Sequence, residues 1–159
     1  MTIGAADAGG MSPRHAQVVV RFAQVVSGAY LVLGICGLLI TGFNHFSNVT
    51  GVSFLVFTIN PLTNVIHVCV GLIGIPMALS PRTARIFALI LGGLGLPFAI
   101  AGFFLDGTLD DFFARNPPLI WLHLLTSVAA LVVGLWPVRA PAPALSHGEA
   151  AAQPELELR

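Results

Sequence analysis

The chain has 159 residues, 56% of them hydrophobic and only 9% charged, whereas a water-facing domain usually carries about 25% charged residues. Seven Arg, no Lys and seven Asp plus Glu balance to a net charge of zero, which excludes the basic stripe of a nucleic-acid-binding protein. No charged residue lies between Arg21 and Arg82, and in so small a chain an apolar run of that length belongs in a bilayer.

Residues 1–17 read as a flexible cytoplasmic N-terminus, 18–138 as a membrane domain and 139–159 as a flexible cytoplasmic tail rich in Ala, Pro and Glu, a composition without apolar periodicity. A membrane helix needs about 20 mainly apolar residues, which predicts four helices over about 22–42, 62–79, 86–105 and 119–138. The first follows a polar start holding Arg14 and Arg21. Its apolar run is longer than a signal-peptide core and no Ala-x-Ala-like site closes it, so it reads as an uncleaved span. The loop after it is uncharged, and its short run Val52–Ile59 is expected at the outer interface or folded back on the bundle. The sequon Asn48-Val49-Thr50 would matter only in a secretory lumen. Pro97, close to Gly92, Gly93 and Gly95, predicts a kink in the third helix. The loop after that helix carries Asp106, Asp110 and Asp111 ahead of Phe112 and Phe113, a solvated turn with aromatic rings at headgroup level.

Arginine placement sets the orientation. Arg14, Arg21, Arg82, Arg85 and Arg139 fall on one side and Arg115 on the other; positive charge gathers on the cytoplasmic side, so both termini are expected inside. An internal repeat accompanies the four spans. Asn60-Pro61 precedes His67 as Asn116-Pro117 precedes His123, and both pairs suit the start of a helix, Asn as N-cap and Pro at the first helical position. The expected architecture is all-α, a four-helix transmembrane bundle of two tandem hairpins.

At about 100° per residue, small and polar residues form one stripe on each helix: Ala23, Ser27, Tyr30, Gly34, Gly37 and Thr41 on the first; Asn64, His67, Gly71, Gly74 and Ala78 on the second. The third carries Ala88, Gly92, Gly95, Ala99 and Gly102, and the fourth His123, Thr126, Ser127, Ala130 and Gly134. Such stripes let helices approach closely and bond across the seam. Cys36 and Cys69 fall opposite the stripes and read as small apolar residues facing lipid.

His67 and His123 lie at one depth, about two turns inside the outer helix ends, and an ionisable residue within a membrane is a candidate site. One reading is a structural polar cluster of Asn64, His67, His123 and Thr126, with the rings bonding one another or their neighbours. A second is a haem held by His67 and His123 as paired axial ligands. A third is a path for protons or substrate, which the lack of a carboxylate or Arg at the midplane weakens. Zinc would want three or four protein ligands, and no nucleophile–base motif or nucleotide-binding loop occurs.

The stretch Asn60-Pro61-Leu62-Thr63-Asn64-Val65-Ile66-His67, followed by Gly71-Leu72-Ile73-Gly74 and later by Leu122-His123-Leu124, resembles a small four-helix membrane family widespread in actinobacteria and known only as a domain of unknown function. The likeness covers about residues 20–138. It departs before the second histidine, where Pro118, Leu119, Ile120 and Trp121 replace an Asp-Asn pair frequent in the family. The resemblance implies a bacterial inner-membrane protein of this fold and supplies no activity. The expected role is a non-enzymatic accessory or scaffold subunit without a cofactor, its partners being the lipid bilayer, other membrane proteins or further copies of itself. The alternatives are a haem-binding redox protein and a small oligomeric transporter or channel.

Overall fold

The computed structural model describes residues 10–48, 51–104, 113–114 and 116–138. Asp106, Asp110, Asp111, Phe112, Arg115, Arg139, most of the sequon and the tail beyond lie outside the described residues. Among the described residues four helices follow one another: α1 (Pro13–Thr41), α2 (Pro61–Met77), α3 (Pro81–Phe104) and α4 (Pro117–Leu135). Between α1 and α2, two short strands, β1 (Ser53–Phe54) and β2 (Phe57–Thr58), form an antiparallel hairpin. Three of the described helices are long and apolar enough to cross a membrane. At 17 residues, α2 is apolar and sits at the lower limit of about 17–25 residues for a spanning helix. The chain is a membrane protein.

Three of these helices begin on a device written in their sequence. The side chains of Ser12, Asn60 and Asn116 accept hydrogen bonds from the amides of His15, Thr63 and Leu119, and a proline stands next in each case. Such caps satisfy amides that the first helical turn leaves without partners. α1 therefore starts at Pro13, nine residues earlier than its apolar run suggests, because cap and packing outweigh the polar Arg14, Gln17 and Arg21: His15, Ala16 and Val19 are all buried. Its 29 residues reach about 43 Å at ~1.5 Å per residue, longer than the ~30 Å hydrocarbon core. The overhang allows Arg14 and Arg21 to stay exposed. Gly42 ends the helix with φ 60°, its amide bonded to the Leu38 carbonyl. α3 continues through Pro97 to Phe104, with the Gly93 carbonyl deprived of the amide that proline lacks.

α1 packs chiefly on α2 and α3 on α4, and the two hairpins meet mainly along α1 and α3. Small residues make these contacts possible. A Cβ at Gly71 would come within 2.5 Å of the Leu31 Cβ and 2.7 Å of its amide nitrogen. Between the hairpins, Val19, Ala23, Ala84 and Ala88 form a fully buried crossing. The stripes read from the sequence are the inner faces: of their residues, only Thr41, Gly95, Gly102, His123 and Thr126 are half-buried, and the rest are buried. Cys36 is half-buried, Cys69 is exposed, and both are free thiols.

At one end of the bundle the last carbonyls of α4 are held by side chains from both hairpins. Nε2 of His15 donates to the Val133 carbonyl at 3.0 Å, and Nε of Arg85 to the Gly134 carbonyl at 2.7 Å. Basic donors at a helix C-terminus satisfy orphan carbonyls and oppose the helix dipole. At the other end Asn116 joins several segments, its Nδ2 donating to Thr58 O at 2.8 Å and Ala114 O at 2.7 Å. The Thr63 hydroxyl donates to Phe113 O at 2.8 Å. The β-hairpin is thus tied to the start of α4, and its apolar tip residues, Leu55 and Val56, are exposed.

Candidate functional site: a histidine pair beside an apolar slot

The repeat brings its two histidines together. His67 on α2 and His123 on α4, 56 residues apart, meet Nε2 to Nε2 at 3.2 Å across the two hairpins. One ring donates the shared proton and the other accepts it on a lone pair. The capping asparagines set this meeting, since each fixes where its helix begins and so how deep its histidine lies. Two neutral rings bonded in this way keep one N–H and one lone pair between their Nδ1 atoms. Neither Nδ1 forms a hydrogen bond among the described residues.

Aromatic rings enclose the pair. Tyr30 of α1 meets His67 edge-on at 5.0 Å and lies over His123 at 6.3 Å, while Phe98 of α3 approaches His123 at 5.5 Å. The Tyr30 hydroxyl lies 3.1 Å from Thr126 Oγ1, which itself donates to the Leu122 carbonyl. The tyrosine is therefore the donor in a short chain that runs from α1 into the backbone of α4. All four helices contribute to this centre.

Of the residues expected to form one polar cluster, His67, His123 and Thr126 do gather here, with Tyr30 linking the threonine to the rings. Asn64 stands apart. Its Nδ2 donates to Thr41 Oγ1 at 3.2 Å, and its side chain lies against Gly37, whose missing Cβ makes the room. It ties α1 to α2, one turn from the histidines. Asn60, Pro61, Asn116 and Pro117 act as the helix starts they were read to be. Tyr30 and Phe98 were missed as members of the centre. Tyr30 stood on the inward stripe of α1, which was the available signal; Phe98 had none, because a phenylalanine in a span reads equally as lipid-facing.

Beside the pair a slot of about 480 Å³ separates α2 from α3. It runs along α2 from Thr63 to Met77 and along α3 from Phe87 to Phe98, with Tyr30, His123, Ser127 and Phe113 completing its lining. Its walls are largely aliphatic and aromatic, and no Asp, Glu or Arg lies among the described lining residues.

The donor set would suit a haem, but the spacing does not. With imidazole–metal bonds of about 2.0 Å, two axial nitrogens stand about 4 Å apart with the macrocycle between them. Here the nitrogens bond directly at 3.2 Å, and Tyr30 and Phe98 pack against the rings. The pair as arranged is a hydrogen-bonded joint with no place for an iron.

In comparison with known families, the model of the family described as Domain of unknown function (DUF4383) matches residues 21–136. No curated protein and no solved structure shows significant similarity to the chain.

Proposed function

The chain belongs to the DUF4383 family, and from that premise we propose that it is a non-enzymatic accessory or scaffold subunit of a bacterial cytoplasmic membrane, with both termini inside and no resident cofactor. One observation carries the reading: the two histidines of the repeat, His67 and His123, bond each other at 3.2 Å. Polar side chains tie membrane helices together in this way, and the role is a joint between hairpins. Lipid-facing residues such as Val25, Leu39, Leu72 and Leu125 are exposed along the helices, and the hairpin tip adds Leu55 and Val56 at the outer end. These surfaces offer a larger membrane protein a place to pack.

The test is purification from native membranes in a mild detergent. The proposal expects a colourless protein that migrates on native gels with a second membrane protein in fixed ratio. A protein that runs alone or only with itself, with Soret and α bands in its reduced-minus-oxidised spectrum that vanish in His67→Ala and His123→Ala, would replace this reading with a redox carrier.

A further inference from the structure

The slot between α2 and α3 lies where the two halves of the repeat differ. Gly71 abuts Leu31, the neighbour of Tyr30, and the residue that repeats Gly71 in the second hairpin, Ser127, abuts Gly95. Gly95 thus stands where Leu31 stands in the first half. On that side Tyr30 fills the space between α1 and α4 and bonds Thr126. On the other side Gly95 packs on Ser127, and Val70, the residue that repeats Thr126, lines the slot.

We propose that this slot binds a neutral, lipid-soluble carbonyl compound with a long apolar tail, of the prenylated-quinone class, entering sideways from the bilayer. From Thr63 to Met77 the slot is about 21 Å long at ~1.5 Å per residue. Its volume of about 480 Å³ falls in the range of small-molecule sites and is too small for a partner helix about 10–12 Å across. Ile73 and Leu94 line it and are 58% and 72% exposed, so the slot opens towards lipid. Its hydrogen-bonding groups, on Thr63, His67, Tyr30, His123 and Ser127, sit towards the outer half, while Met77 and Phe87 close the inner half. That division suits one polar head with one tail, whereas a bare acyl chain has nothing to offer imidazole at that depth. A neutral head suits a lining that holds no charged side chain among the described residues. The histidine pair retains an N–H for a carbonyl oxygen, and Phe98 and Phe113, edge-to-face at 5.1 Å, offer a flat ring aromatic neighbours. The inference concerns binding alone and is independent of whether the protein serves a larger complex.

The experiment uses the full chain in phospholipid nanodiscs and a radiolabelled benzoquinone carrying a saturated alkyl tail. Saturable binding is expected, with Val70→Phe and Ile73→Trp, which narrow the slot from one wall, each weakening it by about tenfold or more. Val32→Phe, on the lipid-facing side of α1, should bind as the wild type does, and the hydrocarbon of the same tail should not compete. Melting curves establish that each variant is folded; Val70→Phe and Ile73→Trp alter positions of different exposure, so the loss of one leaves the other to decide. Absence of saturable binding overturns the proposal, as does equal binding by folded slot variants. Displacement by the hydrocarbon as readily as by unlabelled quinone also overturns it, because the slot would then hold a plain bilayer chain.

Discussion

Asn116 does more than begin a helix. Its Oδ1 accepts from the Leu119 amide at 3.3 Å, and its Nδ2 donates to Thr58 and Ala114 carbonyls. These duties separate by substitution. Asn116→Ala removes both and should destabilise the protein by about 1–2 kcal/mol or more. Asn116→Asp keeps a capping oxygen and loses the amide donors, so α4 should remain protected while amides of the β-hairpin exchange faster with solvent; equal exchange in the two variants would contradict the assignment. The capping role was legible in the dipeptide Asn116-Pro117. The bonds to Thr58 and Ala114 were not, because a long-range partner leaves no mark near the residue. The same distinction explains why the histidine pair was foreseeable from two equal depths, while the company of Tyr30 and the departure of Asn64 towards Thr41 were not: depth along a helix is written in sequence, and direction around a crossing point is set by the neighbour.

Among the helices, glycine position decides what can move. Gly71 and Gly93 are both span glycines, but a Cβ at Gly71 meets Leu31 backbone and a Cβ at Gly93 meets nothing within 4 Å. Gly71→Leu should therefore splay α1 from α2 and lower the unfolding midpoint sharply, an overpacked contact costing roughly 1–3 kcal/mol. Gly93→Ala should be neutral or stabilising by up to about 1 kcal/mol. Thermal unfolding in detergent distinguishes them, and a comparable loss in both would show that the close α1–α2 approach is misplaced. The four helices and their inner faces were readable because small residues recur at helical spacing. The early start of α1 was obscured because polar residues in its first turns resemble a tail, and only the burial of His15, Ala16 and Val19 shows why the chain is helical there. The run Val52–Ile59 was too short to predict more than an interface position; it resolves into a hairpin whose turn residue Leu55 takes φ 56°, a conformation no simple propensity favours for leucine.

For the whole molecule, orientation and assembly of the hairpins are the two matters. With Cys36 and Cys69 replaced by Ser, an impermeant thiol reagent applied to intact cells should label Asn48→Cys at the outer end and leave Leu79→Cys unlabelled until the membrane is opened; the reverse pattern would invert the topology. The central claim is that His67 and His123 join two tandem hairpins by bonding each other. The most direct test is a double-mutant cycle of His67→Leu, His123→Leu and the double variant, followed by reversible unfolding in detergent. The account predicts a coupling of about 0.6 kcal/mol, the average for hydrogen bonds between membrane helices, and at most about 1.7 kcal/mol, with the double variant losing less than the two single losses combined because neither ring is left without its partner. Additive losses, within about 0.3 kcal/mol, would contradict it and mean that the two rings do not hold the hairpins together.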